Sequence, residues 1–140
     1  MKKLLMSVMC AAAIAMTACN PKVYTASGSQ KKLKDNGYTV SIYNATEAKE
    51  KIKGIEFEGV KLNDALFAEK GKEDDYDFLL AFYFPSIDEA EKFTSLNSNV
   101  NLGLMNDYAD NNLGKNLKKK VGSHNNVAYV GSETSFANAF

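Results

Sequence analysis

The chain has 140 residues, of which 45% are hydrophobic and 24% are charged, and this is enough for one globular domain with one core. Its 17 basic residues are all lysines and balance 17 acidic residues, so the formal net charge is zero. Without excess positive charge or arginine side chains, the composition argues against nucleic-acid binding. The Gly, Pro and aromatic contents exclude collagen-like, coiled-coil and low-complexity classes.

The N-terminal residues have the pattern of a cleaved signal peptide. Lys2 and Lys3 precede an apolar run from Leu4 to Met16 that only Ser7 interrupts, and small residues follow it. The run is shorter than the ~20 apolar residues that a membrane-spanning helix needs. We therefore predict that residues 1–18 are a signal peptide that is removed.

The end of this run, Met16-Thr17-Ala18-Cys19, resembles the lipobox of bacterial lipoproteins, with Met16 in place of the usual Leu. The resemblance implies that the Cys19 thiol receives a diacylglycerol unit and that the chain is cut before Cys19. Whether the new amino group is also acylated stays open; two acyl chains suffice for stable anchoring. The expected location is the extracytoplasmic face of the cell membrane. A plain secretory signal with an incidental Cys is the alternative.

Processing changes the charge and removes the thiols. From Cys19 onward the chain keeps 15 lysines and all 17 acidic residues, a formal charge of about −2. Cys10 lies inside the apolar run and is lost with it, so no thiol is left for a disulfide, a metal or a nucleophile. We expect residues 19–30 to be the lipidated Cys and a flexible spacer, and residues 31–140 to be the globular domain.

Hydrophobic periodicity and capping residues predict an alternation of helices and strands in the domain. Asn44 and Glu47 form a capping-box pattern, whereas segment 55–62 fits no element well. The predicted elements are helix 30–37, strand 38–43, a helix after Asn44, strands 65–69 and 77–84, helices 87–93 and 102–113, strands 118–121 and 127–130, and helix 132–140. This order predicts a single α+β domain, ferredoxin-like, with a split β-α-β antiparallel sheet, helices mainly on one face and a C-terminal helix.

In outline the chain resembles small, uncharacterised lipoproteins of low-GC Gram-positive bacteria, which pair a lipobox with a compact α+β domain. The resemblance rests on residues 16–19 and, more loosely, on the run Asn-Asn-Val-Ala-Tyr-Val-Gly at 125–131 before a terminal helix. It implies a location in the cell envelope and no particular activity.

Candidate catalytic and metal-binding residues are few. His124 is the sole histidine and has neither a second His nor a usable Cys as partner, so we expect an exposed turn residue. The acidic run 73–77 lacks the spacing and the central Gly of a calcium loop and is expected to be a solvated turn. A weaker oxygen-rich set, Asp107, Asp110, Asn112 and Gly114, is expected to be the polar end of a helix and its glycine stop. Lysines 118–120 are too few for a lipid-headgroup patch and indicate a protected edge strand. We predict no catalytic residue, no cofactor and no metal.

Strand 77–84 is apolar on both faces, which a sheet covered on one side does not explain. One row is predicted to face the helices; it comprises Phe78, Leu80, Phe82 and Phe84, together with Tyr38, Val40 and Ile42 of the first strand. The other row looks outward, and its neighbouring tyrosines are the candidate binding residues, Tyr43, Tyr83 and Tyr129. In the alternative arrangement, the terminal helix covers this face with Phe136 and Phe140.

Two classes of function remain. The first is a non-enzymatic binding or protein-interaction module, a monomer tethered to the membrane through Cys19, whose partner is another envelope protein or a small ligand. The second is a small carboxylate- or calcium-dependent envelope enzyme or factor. We favour the first class because the sequence shows no identifiable acid/base pair.

Overall fold

The computed structural model describes residues 22–96 and 98–140; the predicted signal peptide and Cys19 lie outside the described residues. Two short 3₁₀ and π turns, Glu73–Asp75 and Ser98–Leu102, accompany the regular elements. The helices are α1 (Ala26–Asp35), α2 (Ala45–Lys51), α3 (Ile87–Leu96), α4 (Gly103–Asn112) and α5 (Glu133–Ala139). The strands are β1 (Thr39–Asn44), β2 (Asp64–Lys70), β3 (Asp77–Tyr83), β4 (Lys119–His124) and β5 (Val127–Ser132).

The five strands form one sheet in the order β1-β2-β3-β5-β4, and every neighbouring pair is antiparallel. The prediction of a single α+β domain with an antiparallel sheet and a C-terminal helix is confirmed. The split β-α-β order is wrong, because in that arrangement the two strands that flank a helix are parallel and a third strand lies between them. Here β1 and β2, which flank α2, are adjacent and antiparallel. Here the chain returns after α2, so that Asp64 of β2 pairs with Asn44 of β1 at the same end of the sheet.

The front face of the sheet is the side that carries Phe78, Leu80 and Phe82 of β3. These side chains pack in one core with residues of α2, α3 and α4, among them Ala48, Phe93 and Met105. The rings of Phe57 and Phe82 meet edge to face with centroids 5.3 Å apart. Segment 55–62, which fitted no predicted element, contributes Phe57, Val60 and Leu62 to this core.

The back face carries Leu79, Ala81 and Tyr83, and α1 and α5 cover it. Helices therefore lie on both faces, which corrects the expectation that they lie mainly on one. The alternative in which the terminal helix covers the second apolar row is confirmed, since Phe136 and Phe140 pack against this core. The β1 register also differs from the prediction: Ile42 pairs with Leu66 and faces the back, as do Tyr38 and Val40.

Helix α1 begins earlier than predicted and belongs to the domain. Thr25 caps it by accepting a hydrogen bond from the Gly28 amide (3.1 Å), and Ala26 and Ser29 are buried. Upstream, the Asn126 side chain accepts from the Tyr24 amide (2.7 Å) and donates to the Tyr24 carbonyl (2.9 Å). Residues 24–30 are thus part of the fold and not a flexible spacer. A chain of residues 22–140 retains both cores, and we expect it to fold.

Asp77 corrects the expectation that the whole acidic run 73–77 is solvated. It is only 5% exposed, and its carboxylate accepts hydrogen bonds of 2.5 Å from the hydroxyls of Tyr38 and Ser132. Burial, and then this hydrogen bond, raise the pKa of Tyr38 to about 12. Ser132 in turn caps α5, since its Oγ accepts from the Ser135 amide (2.8 Å). One buried carboxylate therefore joins β1, β3 and the start of α5.

Lysines 118–120 lie at the edge of the sheet, as predicted, because β4 is the last strand on that side. Lys119 pairs with Asp110 of α4, and the Lys120 ammonium lies 3.8 Å from the centre of the Phe136 ring.

Among the helices of residues 22–96 and 98–140, none has the length and apolarity to cross a membrane.

Candidate functional site

A cavity of about 490 Å³ opens on the front face between α2 and α4. Helix α2 packs on β1 and β2, whereas α4 packs on β4 and β5, and a gap remains between the two helices above the middle of the sheet. Phe67 of β2 and Leu80 of β3 form the floor there. The volume lies within the ~300–1,000 Å³ that is usual for small-molecule sites.

The short length of α2 explains why the gap persists. Seven residues rise only about 10 Å, roughly half the length of the six-residue strand beside them. The chain then turns at Gly54, whose positive φ of 87° suits glycine. Asn101, fully buried, fixes the following segment, since its side-chain amide donates to the Glu56 carbonyl and accepts from the Glu56 amide, both at 2.9 Å. These contacts hold the segment after α2 against the start of α4 and fix one end of the gap.

The lining combines an apolar floor with a polar rim. Leu80 and Met105 are buried at the bottom, and the half-buried Phe67 lies beside them. Two more aliphatic side chains, Ile52 and Ile55, come from the segment after α2. The rim consists of Tyr43, Lys51 and Lys53 on the α2 side and of Leu104, Asp107, Tyr108, Asn111 and Asn112 on the α4 side.

An exposed apolar stripe continues from the mouth of the cavity along α4. Val100, Leu104 and Tyr108 are spaced by four residues, one turn of helix apart, and each is 40–48% exposed. Val23 is the other exposed large hydrophobic residue of the described part of the chain. The apolar surface left open to solvent is therefore concentrated at this one site.

Charge on the rim is divided between the two walls. Lys51 and Lys53 belong to the α2 side, and the Lys51 ammonium lies 4.8 Å from the centre of the Tyr43 ring. Asp107 belongs to the α4 side. Burial and the charge of Glu69 raise the pKa of the Tyr108 phenol, so it stays a neutral hydroxyl at physiological pH.

The structure separates the three tyrosines predicted to bind. Tyr43 lies on the front face and lines the cavity. Tyr83 and Tyr129 are 1% and 5% exposed on the back face beneath α1 and α5. They are core residues, and their assignment to a binding surface is wrong. The ring of Tyr129 packs on that of Phe136, with centroids 4.6 Å apart.

The Tyr83 hydroxyl gives a direct test of this burial. It has no hydrogen-bond partner among residues 22–96 and 98–140, and burial raises the pKa of the phenol. We expect Tyr83→Phe to keep the free energy of unfolding or to raise it by up to about 1 kcal/mol, because it removes an unpaired buried polar group. Urea denaturation measures this. The matched variant Tyr38→Phe removes the hydrogen bond to the Asp77 carboxylate and should lower the free energy of unfolding. An equal loss in both variants would contradict the assignment of Tyr83 as a buried residue with an unpaired hydroxyl.

His124 is not the exposed turn residue that the sequence indicated. It ends β4, half-buried against the rings of Tyr24, Phe136 and Phe140, and its Nε2 lies 3.1 Å from the Tyr24 hydroxyl. Burial and the nearby charge of Lys120 lower its pKa. The ring thus joins the N-terminal segment to α5. The turn prediction holds for Asn125, whose φ is 52°.

The described lining of the cavity holds one carboxylate and two lysine ammonium groups. Asp107 is the single carboxylate in its described lining, whereas general acid/base hydrolysis of the glycosidase type uses a carboxylate pair. Within the part of the chain that the structure describes, no group of three or more His, Cys, Asp or Glu is placed to hold a metal ion.

Sequence reasoning did not find the cavity. Its signals were the half-apolar segment 52–55 and the apolar side chains Leu104 and Tyr108 on the solvent side of α4, which local patterns do not connect. Comparison with known proteins adds no assignment: no protein-family model, curated protein or solved structure matches the chain.

Proposed function

We propose that this protein is a membrane-anchored extracytoplasmic lipoprotein whose domain binds a small amphipathic ligand, without catalysis, in the cavity between α2 and α4. The observation that carries the proposal is the cavity itself, an apolar hollow of about 490 Å³ with polar groups only at its rim. Such a lining buries an apolar body and orients it by a few polar contacts. The lipobox-like residues 16–19 support the anchor.

The attachment of the N-terminal segment favours a short tether. The Asn125 side chain donates to the Lys22 carbonyl (2.8 Å), and Asn126 holds Tyr24 at the β4–β5 turn. Two residues, Asn20 and Pro21, lie between Cys19 and Lys22, and the three steps from one Cα to the next reach at most about 11 Å. A lipid on Cys19 would therefore hold this end of the sheet close to the membrane surface.

The floor of the cavity lies in the middle of the sheet, where Leu80 pairs with Phe67 and Val130, and its α4 wall extends toward the opposite end. The Gly114 amide, just after α4, donates to the carbonyl of Tyr76 (2.8 Å), which precedes β3 at the end of the sheet far from the β4–β5 turn. The rim residues Asn111 and Asn112 lie in the last turn of α4 and thus nearer to that far end. An anchored domain would present its cavity to the aqueous phase.

The anchor is tested in the full chain by Cys19→Ala. We expect this variant to lose acyl-chain incorporation and to leave the membrane fraction, because the lipid supplies nearly all the membrane affinity. Metabolic labelling with a fatty acid and fractionation after a salt wash measure both effects. Cys10→Ala is the matched control and should keep label and membrane. A Cys19→Ala protein that stays membrane-bound after the wash would overturn the anchor.

Binding in the cavity is tested with residues 22–140 and the neutral probe N-acetylphenylalaninamide. We expect millimolar probe to shift the backbone amide resonances of Tyr43, Phe67 and Leu80, and Leu104→Trp to abolish the shifts by filling the mouth. Val23→Trp adds the same ring at an exposed site outside the cavity and serves as control. Shifts located elsewhere, or kept in Leu104→Trp, would overturn the cavity as the site. Binding that required added calcium would favour the calcium-dependent alternative.

A further inference from the structure

The positive charges of the two lysines on the α2 wall are not neutralised by a nearby carboxylate of the described residues. Neither Lys51 nor Lys53 lies within 4 Å of a carboxylate of residues 22–96 and 98–140, whereas Lys92 and Lys119 each pair with one, at 3.0 and 2.5 Å. The Lys51 ammonium rests above the face of Tyr43 at the rim. Two ammonium groups at the mouth of an apolar cavity favour a ligand with an anionic group.

Asp107 on the opposite wall has a negatively charged side chain. It is the fifth of the ten residues of α4 and is exposed, too far from either helix end for the helix dipole to decide its charge preference. Asp110, one turn further, is compensated by Lys119, but no lysine of the described residues lies within 4 Å of Asp107. Asn111 follows Asp107 at the i+4 position on the same helix face. This wall therefore favours a hydrogen-bond donor with positive charge.

We propose that the ligand is a free short peptide, bound as a zwitterion. Its carboxylate would lie against Lys51 and Lys53, its ammonium against Asp107, and an apolar side chain on the floor of Phe67 and Leu80. This inference rests on the proposed function, since it specifies the ligand of the same cavity. A sphere of the cavity's volume is about 10 Å across, and an extended dipeptide spans about 7 Å, so two residues fit.

Ligands with one charge fit the rim less well. A fatty acid satisfies the two lysines but leaves Asp107 facing an apolar chain or a second negative charge. An amine satisfies Asp107 but meets the two ammonium groups. Because the rim charges are exposed and of opposite sign on the two walls, the zwitterion is the class that gives each wall an opposite charge.

The test compares four forms of one dipeptide, phenylalanyl-leucine: free, N-acetylated, C-amidated and blocked at both ends. Isothermal titration calorimetry with residues 22–140 gives the dissociation constants. We expect the free dipeptide to bind tightest, and each block to weaken binding about five- to tenfold, as for hydrogen bonds to charged groups that are partly withdrawn from water.

Variants assign each terminus to its wall. The double variant Lys51→Gln, Lys53→Gln should abolish the preference for the free carboxylate and keep the preference for the ammonium. Asp107→Asn should do the opposite. Lys49→Gln, exposed on α2 outside the lining, and Asp88→Asn, exposed on α3, should change neither preference.

The zwitterion proposal would be overturned if all four forms bound with equal affinity, or if the preferences survived both sets of variants. The proposed function would still stand in either case if the neutral probe binds. Failure of all four forms while that probe binds would do the same. Failure of the dipeptides and the probe together would overturn both proposals.

Discussion

Ending the chain at Ser132, without α5, is expected to lower the free energy of unfolding by about 4 kcal/mol or more. The deletion removes Phe136, Ala139 and Phe140 from the back face and exposes Tyr83 and Tyr129. Burial of each large apolar side chain contributes about 1.5–3 kcal/mol, and a domain of this size has only about 5–15 kcal/mol in total. Urea denaturation and binding of a fluorescent apolar dye measure the loss and the exposed surface.

Single substitutions in α5 show whether its packed side chains stabilise the domain. Phe136→Ala should cost about 2–4 kcal/mol because its ring packs on Tyr129 and His124. Thr134→Ala, at an exposed position of the same helix, should stay within about 0.5 kcal/mol of the parent. A truncated chain as stable as the parent would mean that α5 does not cover the back face.

Asp77→Ala is expected to lower the free energy of unfolding by about 3 kcal/mol. Its carboxylate is the shared acceptor for the buried hydroxyls of Tyr38 and Ser132, and each unpaired buried group costs about 1–3 kcal/mol. Denaturation at neutral pH measures the loss. The absorbance of ionised tyrosine should also show the Tyr38 pKa falling from about 12 toward 10, because part of its elevation comes from the hydrogen bond and charge of Asp77.

Asp35→Ala is the control for this substitution, since Asp35 is an exposed acidic residue at the end of α1. It should change the stability by less than about 0.5 kcal/mol and leave the tyrosine titration as it is. If Asp77→Ala were equally mild, the carboxylate would not be the link between β1, β3 and α5.

Local sequence signals predicted most of the elements. Asn44 and Glu47 form the predicted capping box, with both hydrogen bonds at 2.9 Å. Strands β2 and β3 lie within a residue of their predicted ends. These features depend on neighbours a few positions apart, such as a cap and the amide three residues later, so the sequence alone determines them. The apolar character of both faces of β3 likewise predicted that something must cover each face.

The start of α1 was missed because its local signal is weak. Its first residues, Ala-Ser-Gly-Ser, have little apolar periodicity, and Gly28 lies inside the helix. What holds this turn is distant in sequence: Ala26 packs in the back core, and Tyr24 bonds to Asn126 across 102 positions. Tertiary contacts decide such a helix, since a short helix alone is marginal in water.

The sequence by itself carries the lipobox-like residues 16–19 and determined the α+β class, the caps and the two apolar rows of β3, because each is local in the chain. The tertiary structure decided the strand order, the burial of Tyr83 and Tyr129, and the cavity. Segment 52–63 brings the chain back to Asn44 and buries Phe57 and Leu62 in the front core, so β2 lies antiparallel beside β1. This return is stabilised by packing between distant residues, and no local periodicity encodes it.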